Sequence, residues 1–203
     1  MKGKLIATIV ACAAFFYSFA VRADVISEQL SQAGGAATFA LGQSLTTPAG
    51  GPWNNVTFNW FDTGGTPNAG VPTPIAAGTL FLLNQQYSGT PAALSASTIG
   101  YIAQSQSIAG GMYVFSPSLV IQPNTTYYFL SNQTVPNNSG NLNTIPGTAY
   151  GDTGPGGVYA PVDGDARFRL QGSVVPEPGV TALCILAFFT APVFGRRRDS
   201  EVA

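Results

Sequence analysis

Four aspartates are the side chains in this sequence best suited to acid–base chemistry: Asp62, Asp152, Asp163 and Asp165. Two carboxylates that face each other across a cleft can hydrolyse a glycosidic bond, because one protonates the leaving oxygen while the other attacks the sugar or activates water. Each of the four, however, lies beside glycine or threonine, where aspartate commonly bonds to its own backbone in a turn. The turn interpretation is therefore favoured at all four positions.

The groups needed by other common hydrolases are missing or badly placed. The chain contains no histidine, and its two cysteines, Cys12 and Cys184, lie close to its two ends. A Ser-His-Asp triad or a Cys-His pair requires histidine, and common zinc sites require histidine or cysteine ligands. The sequence therefore predicts a protein that is not an enzyme.

Asp163 and Asp165, which flank Gly164, are the candidate ligands for Ca²⁺. Calcium takes 6–8 oxygen ligands, and the complete loop pattern of an EF-hand is absent here. A tight hairpin is the favoured interpretation, with no cofactor, and Ca²⁺ bound by these two aspartates is the alternative.

Two tryptophans beside amide side chains could stack on sugars. Trp60 shares one face of a predicted strand with Phe58, which indicates a core position. Trp53 lies between Pro52 and Asn54 in a predicted loop, so it is the candidate for a surface ligand-binding residue.

The elements that must position these residues are predicted to be strands. In residues 56–61, Val56, Phe58 and Trp60 alternate with Thr57 and Asn59, the period of a strand with one buried face. In residues 166–171, Phe168 and Leu170 should face inward, with Arg167 and Arg169 on the opposite face. Residues 79–83 and 127–130 are apolar on both faces, as in central strands, and residues 37–45 and 112–115 are further candidates.

Turn residues separate these strands at Gly64-Gly65, Ser88-Gly89, Gly110-Gly111, Pro123-Asn124 and Asp163-Gly164. No stretch between them has a helical period free of glycine and proline. Short strands divided by turns predict an all-β fold, an antiparallel β-sandwich that is jelly-roll-like. Residues 134–161, rich in Asn, Gly, Pro and Thr, are predicted to form a long surface loop.

The N-terminal residues 1–23 have the pattern of a secretory signal peptide, which predicts an N-terminal signal helix. Lys2 and Lys4 precede an apolar run, and the small or aliphatic residues Val21 and Ala23, three residues and one residue before the cut, suit cleavage between Ala23 and Asp24. Signal peptidase and the export machinery are the partners this implies, and residues 24–175 should fold outside the cytoplasm.

The C-terminal residues 176–203 combine Pro176-Glu177-Pro178, an apolar segment from Val180 to Phe194, and the cluster Arg196, Arg197 and Arg198. As a short hydrophobic helix, fifteen residues reach about 22 Å, less than the roughly 30 Å of a bilayer core. The segment is therefore a marginal membrane span, and the arginines should stay on the cytoplasmic side.

This tail resembles the PEP-CTERM sorting signal of Gram-negative bacteria. The resemblance covers about 25 residues, and its three parts occur in order near the C-terminus. It implies recognition of Pro176, Glu177 and Pro178 by an exosortase, a membrane protease, after transient insertion in the inner membrane. Release to the cell surface or the exopolysaccharide matrix would follow.

A second resemblance covers roughly residues 35–172. Ala77-Gly78-Thr79-Leu80-Phe81-Leu82, residues 119–130 and Gly164-Asp165-Ala166-Arg167-Phe168-Arg169-Leu170 are similar to the choice-of-anchor R type of bacterial surface domain. This resemblance implies a β-sandwich ectodomain, and it brings no catalytic residues.

The net charge of the ectodomain limits the kinds of molecule that it can bind. Residues 24–175 carry six acidic side chains, two arginines and no lysine, a net charge of about −4. Such a surface repels nucleic acid, whose binding depends on Lys and Arg contacts to phosphate.

The function expected from the sequence is that of a non-enzymatic surface or matrix protein, with exopolysaccharide as a candidate partner. A carbohydrate-binding module and a secreted polysaccharide-active enzyme are the alternatives.

Overall fold

The computed structural model describes residues 23–31, 37–62, 73–138, 145–152, 154 and 156–176. The predicted signal helix and the C-terminal hydrophobic helix lie outside this part of the chain. The described part contains one turn of 3₁₀ helix, Pro91–Ala93, and the following strands: β1 Asp24–Gln29, β2 Ala37–Thr46, β3 Trp53–Phe61, β4 Pro74–Ile75, β5 Leu80–Leu83, β6 Tyr101–Gln104, β7 Ser107–Ala109, β8 Met112–Val114, β9 Thr126–Asn138, β10 Gly147–Asp152, β11 Tyr159–Val162 and β12 Phe168–Val174. The predicted all-β class is confirmed.

The strands form two six-stranded antiparallel sheets. Sheet A has the order β1-β12-β3-β8-β7, with β4 pairing to β3 beside this path. Sheet B has the order β11-β10-β2-β9-β5-β6. Because consecutive strands repeatedly fall in different sheets, most pairs join segments that are distant in sequence, and long-range pairing holds the whole chain together.

Side chains from both sheets share one hydrophobic core. Phe58, Trp60 and Phe168 come from sheet A, while Leu82 and Phe129 come from sheet B, and all five are 0% exposed. The Phe58 ring lies 4.7 Å from the Phe129 ring across the core, in a stacked arrangement. The predicted inward face of residues 56–61 is therefore confirmed, and the arrangement is sandwich-like.

Two predicted turns have the backbone conformation that their residues favour. Gly110 and Gly111, at φ 58° and 78°, connect β7 to β8, and successive left-handed residues give the twist that a two-residue hairpin needs. Asn124, at φ 51°, occupies the turn before β9. The Gly64-Gly65 turn lies outside the described residues.

Residues 134–161 are not the loop that their composition predicted. This range holds the end of β9, all of β10 and the start of β11. Val135, Tyr150 and Tyr159 in this range are buried, whereas Val158 is exposed. The prediction was wrong because the glycines and asparagines between them hide the alternating pattern of strands near a sheet edge.

Two polar side chains predicted to point to solvent are also buried. Asn59 is 3% exposed, and its partner across the sheet is Arg169, whose long side chain covers the outer surface at this point. Arg167 is 6% exposed. Its Nε donates to the carbonyl of Leu30 at 2.7 Å, and its NH1 donates to the carbonyl of Asp62 at 2.8 Å. Arg167 therefore ties the segment after β1 to the end of β3.

Candidate binding surface

The outer surface of sheet B carries a second hydrophobic cluster, separate from the main core. Its buried members are Ala40, Phe81, Leu83, Leu94, Leu130, Tyr150 and Tyr159, and the partly buried Tyr87, Tyr101 and Tyr128 pack against them. The cluster arises because β5 and β9 are apolar on both faces: Leu82 and Phe129 point into the core, while Phe81 and Tyr128 point outward. We call this outer surface the tyrosine face.

The strand register aligns three residues of this cluster, Tyr128, Leu83 and Tyr101, in one row across sheet B with Ser44 and Thr148. Thr148 pairs with Ser44, Ser44 with Tyr128, Tyr128 with Leu83, and Leu83 with Tyr101. Tyr128 and Tyr101 are thus two strands apart, about 10 Å at the usual spacing between strands. Both tyrosines are partly exposed, so two aromatic rings with hydroxyl tips reach solvent along this row.

Gly42 allows the tyrosine face to pack closely. It lies between Tyr150 and Leu130 in the register. A Cβ atom at Gly42 would lie 2.4 Å from Leu130 Cδ2 and 3.1 Å from Tyr150 Cβ. These side chains lean over the glycine from both sides, and a larger residue would push them apart.

Charge is nearly absent from the tyrosine face. Asp152, at the end of β10, is the one ionisable acid that lines a groove beside it, together with Asn132, Gln133 and Thr134. This groove has a volume of about 540 Å³. Asp152 Oδ1 accepts a hydrogen bond from the backbone N–H of Ala40 at 3.0 Å, so the carboxylate joins β10 to β2. The groove is therefore lined by amide and hydroxyl groups, and its one carboxylate already accepts a backbone hydrogen bond. Such a lining suits an uncharged ligand that is rich in hydroxyl groups better than an anion.

The remaining candidate acids have different partners. Asp165 is 0% exposed. Its Oδ1 accepts from Gln43 Nε2 at 3.1 Å, and its Oδ2 accepts from the N–H of Ile145 at 3.2 Å. Asp62 lies near Arg167, whose guanidinium it influences, and Asp163 is exposed. The described contacts therefore bring no two of the four aspartates onto a shared partner.

Asp163 and Asp165, the calcium candidates, differ in their surroundings because only Asp163 reaches solvent. Gly164 between them has φ 88°, the left-handed conformation expected in the tight turn. In the part of the chain that the structure describes, no three His, Cys, Asp or Glu side chains gather closely enough to hold a metal ion.

Trp53 is not on the surface, so its predicted position in a surface loop is wrong. It is the first residue of β3, 4% exposed, and packs in the main core. Its backbone N–H donates to the carbonyl of Ile121 at 3.0 Å, and its carbonyl accepts from the N–H of Ile121 at 2.9 Å. The flanking Pro52 and Asn54 suggested a loop, but this isolated bridge extends the strand and turns the ring inward.

The processing residues lie at the limits of the described chain. Ala23 is exposed, and Asp24 begins β1. Pro176 is exposed, two residues beyond the end of β12. Glu177, Pro178, Arg196, Arg197 and Arg198 lie outside the described residues. Among the residues that are described, no helix is long and apolar enough to cross a membrane.

Comparisons with known proteins found no relative of this chain. No family model matches the chain, and no curated protein or solved structure is significantly similar to it.

Burial raises the pKa of several tyrosine side chains. Loss of solvent raises the pKa of Tyr113 and Tyr150, and raises that of Tyr159 well above its ordinary value. The Tyr159 hydroxyl donates to the carbonyls of Leu41 and Ser131. The Tyr113 hydroxyl donates to the carbonyl of Ala77 at 2.7 Å, which ties β8 of sheet A to the segment before β5 of sheet B.

Because the pKa values of these tyrosines are raised, we expect the folded protein to lose stability at alkaline pH. An unfolded tyrosine titrates near pH 10, whereas the buried ones stay neutral to higher pH. Their contribution is therefore complete below about pH 10 and is lost as pH rises toward the folded pKa, by up to about 1.4 kcal/mol per pH unit for each group. Residues 24–175 contain no lysine, so no lysine titration should obscure the effect.

Urea unfolding of residues 24–175 between pH 8 and pH 11 measures this slope. The variant Tyr159→Phe should show a shallower fall above pH 10 than the wild type. A wild-type midpoint that stays constant to pH 11, or an unchanged slope in the variant, would show that burial of these hydroxyls is not what controls alkaline stability.

Proposed function

We propose that this chain is an exported surface or exopolysaccharide-matrix protein with a non-enzymatic role, and that its C-terminal segment is a sorting signal cut by an exosortase. The observation that carries the proposal is the position of the two processing points relative to the strands. The first strand begins at Asp24, directly after the proposed signal-peptide cleavage site, and the last ends at Val174, just before the Pro-Glu-Pro triplet.

The first and last described strands, β1 and β12, are neighbours at one edge of sheet A. β1 pairs with β12, and Asp24 lies opposite Gly172. The N–H of Val175 donates to the carbonyl of Pro52 at 2.8 Å, whereas Pro176 is exposed. Cleavage at either point would leave the pairing of β1 and β12 intact, which is what a folded, exported product requires.

The environment of the acids supports a role without catalysis. A glycosidase needs two carboxylates roughly 5–10 Å apart on either side of a sugar. Asp152 is bonded to β2, Asp165 is bonded inside the molecule to Gln43, and Asp62 is next to Arg167. These contacts give three of the four candidate acids, Asp62, Asp152 and Asp165, a structural role.

We infer further that the two sheets form a jelly-roll sandwich. Eight strands pair as the two arms of one long hairpin would: β1 with β12, β2 with β9, β3 with β8, and β5 with β6. Such a hairpin, wrapped so that successive pairs alternate between two sheets, is the jelly-roll arrangement of two Greek keys. The β10–β11 hairpin adds to the edge of sheet B, outside this pattern.

The experiment that tests export and sorting is fractionation of the native host with intact-mass measurement. It compares the wild type with the variant Pro176→Ala, Glu177→Ala, Pro178→Ala. The proposal expects a shortened wild-type protein outside the inner membrane and a full-length variant within it.

A second candidate function, a carbohydrate-binding module, is favoured by the tyrosine face. Tyr128 and Tyr101 present aromatic rings with polar tips on a surface that is almost free of charge, and aromatic side chains offer large contact area at little entropic cost.

If the tyrosine face binds carbohydrate, the exported protein should sediment with neutral polysaccharide from the host, and Tyr128→Ala should reduce the bound fraction at least fivefold. The matched variant Tyr87→Ala removes a tyrosine of the same face that lies outside the row of Tyr128 and Tyr101 and bonds to Thr90, so it should retain binding. Equal loss in both variants would argue against the row of Tyr128 and Tyr101 as the binding surface.

A further inference from the structure

Strand β9 carries extra residues where it passes the groove of about 540 Å³ beside the tyrosine face. Gly42 of β2 lies opposite Leu130, and Ala40 lies opposite Thr134, so β9 advances by four residues where β2 advances by two. Such a β-bulge interrupts the pairing of two strands and changes the direction of the side chains on the longer one. The residues of this bulge that line the groove are Asn132, Gln133 and Thr134.

Buried side chains hold the bulge in place. Ser131 is 0% exposed, and its hydroxyl donates to the carbonyl of Gln133 at 2.8 Å. The hydroxyl of Tyr159, from β11, donates to the carbonyls of Leu41 in β2 and Ser131 in β9. The bulge is therefore bonded to both neighbouring parts of sheet B, and the wall that it forms is organised before any ligand arrives.

Asn132 is fixed by two hydrogen bonds to one residue. Its backbone N–H donates to the carbonyl of Thr79 at 3.0 Å, and its Oδ1 accepts from the N–H of Thr79 at 2.7 Å. Gly78 makes room for this arrangement, since its φ is 63° and a Cβ atom there would lie 2.4 Å from Asn132 Oδ1. Nδ2 of Asn132 has no partner among the described residues, so Asn132 offers a hydrogen-bond donor to a ligand in the groove.

Asp152 offers an acceptor in the same way. Its Oδ1 accepts from the N–H of Ala40 at 3.0 Å, while its Oδ2 bonds to none of the residues that the structure describes. These bonds hold Asp152 between β10 and β2, and Asn132 between β9 and the segment before β5, on opposite sides of the β2–β9 pair. A ligand that contacts both needs polar groups at two separate points, and a hydroxyl group can donate or accept at either.

The remaining lining indicates the chemical class of the ligand. No described residue that lines the groove is basic, so the carboxylate of Asp152 would repel an anion. A calcium ion takes 6–8 oxygen ligands, whereas only one carboxylate lines the described groove. Its volume is within the roughly 300–1,000 Å³ of small-ligand sites. A sugar ring has an apolar face and hydroxyl groups at its edge, which matches this lining. The apolar residues of the groove are Ala40, Pro91 and Ala92.

We propose that the groove binds one neutral sugar unit of a polysaccharide, with Asn132 Nδ2 donating to one sugar hydroxyl and Asp152 Oδ2 accepting from another. This sugar site, which rests on the second candidate function of carbohydrate binding, is separate from the row of tyrosines. Neither Tyr128 nor Tyr101 is among the described residues that line the groove, so the two surfaces can be tested independently.

Titration with simple sugars, followed by NMR of the isotope-labelled full chain in mild detergent, tests the site with defined probes. The protein is titrated separately with glucose, galactose and mannose, which are neutral hexoses. For at least one of them, the side-chain amide signals of Asn132 and the backbone signal of Thr134 should shift until they saturate. No shift with any of the three sugars would overturn the proposal, as would shifts that calcium chloride produces and the sugars do not.

A matched pair of substitutions separates this groove from its surroundings. Ala92 and Ala93 are adjacent and exposed, but Ala92 lines this groove, whereas Ala93 lines a different one. Ala92→Trp should fill the groove and weaken sugar binding by about tenfold or more. Ala93→Trp should leave the affinity within about twofold of the wild type. Equal affinities in the two variants would overturn the proposal.

Asp152→Asn tests the proposed hydrogen bond to the sugar. The new amide can still accept from the N–H of Ala40, but it replaces the carboxylate oxygen by an NH₂ group. Because charged hydrogen bonds are roughly twice as strong as neutral ones, the affinity should fall about threefold to tenfold without disappearing. Asp163→Asn, which removes the charge of an exposed turn residue, should change the affinity by less than about twofold. An unchanged affinity in Asp152→Asn would overturn the proposal.

Cosedimentation with neutral polysaccharide distinguishes failure of this site from failure of the second candidate function. Loss of the sugar-induced shifts in Ala92→Trp, together with their retention in Tyr128→Ala, would support the groove as a sugar site even if the tyrosine face binds nothing. Loss of cosedimentation in Tyr128→Ala, with neither readout changed in Ala92→Trp, would support the candidate function and overturn the groove proposal.

Discussion

Phe58→Ala should remove about 4 kcal/mol from the free energy of unfolding. The Phe58 ring is 0% exposed and contacts three other rings: Trp60 at 4.6 Å, Phe129 at 4.7 Å and Phe168 at 5.5 Å between centroids. Its loss leaves a cavity between the sheets that the neighbouring aromatic side chains are too rigid to fill, and buried Phe→Ala changes cost about 3–5 kcal/mol. Domains of this size are stable by only about 5–15 kcal/mol, so the variant should be close to unfolding.

Urea unfolding of residues 24–175 measures the effect, with Phe61→Ala as the matched control. Phe61 lies on the same strand and is 3% exposed, but it is not part of the core shared by the two sheets, and its ring is covered by the guanidinium of Arg169 at 5.5 Å. The control should cost about half as much, since fewer core contacts are lost. Equal losses in the two variants would contradict the position of Phe58 at the centre of a core shared by both sheets.

How much of the fold could be predicted depended on the surroundings of each strand. In β3, alternation of Val56, Phe58 and Trp60 predicted the buried face because one side of that strand meets the core. In β9, the apolar pair Tyr127-Tyr128 predicted burial on both faces, and the tyrosine face accounts for the outer one. The order of the strands was beyond prediction, since it depends on long-range pairing that no local pattern encodes.

Predictions from the sequence failed where tertiary contacts override the preference that local composition suggests. Trp53 follows a proline and a glycine pair, as loop residues do, yet its bridge to Ile121 draws it into β3. Tyr150 and Tyr159 were hidden among glycine and asparagine, because strands near an edge need only a few large side chains to attach them to the sheet.

The hydrogen bonds of Gln43 show a further limit of prediction. Gln43 is 0% exposed. Its Oε1 accepts from the N–H of Ala166 at 2.8 Å while its Nε2 donates to Asp165. No motif marks a glutamine that will bond to residues more than a hundred positions away. The aspartates could be assigned to turns from their neighbours, but their individual partners could not.

Replacement of the Pro-Glu-Pro triplet should have the largest effect on where the protein goes. Proline restricts both itself and the residue before it to extended conformations, so Pro176 and Pro178 should hold this segment in the shape that a protease cleft accepts. Glu177 would supply the side chain to be recognised. Three alanines leave the apolar segment and the arginines unchanged, and those features determine insertion and orientation.

The variant should therefore insert like the wild type and then stay in the inner membrane at full length after its signal peptide. Because the N–H of Val175 is bonded to Pro52 and Pro176 is exposed, the substitution begins one residue beyond a backbone hydrogen bond and does not remove it. The free energy of unfolding should change by less than about 0.5 kcal/mol. A loss of stability beyond that would indicate misfolding as the reason for retention.

Intact mass spectrometry of both proteins after cell fractionation is the most direct test of the sorting proposal. We expect the wild-type protein to begin at Asp24, to lack roughly the 25 residues after the triplet, and to be found outside the inner membrane. We expect the variant to begin at Asp24, to end at Ala203 and to remain in the inner membrane. Identical masses and identical locations for the two proteins would contradict the sorting proposal.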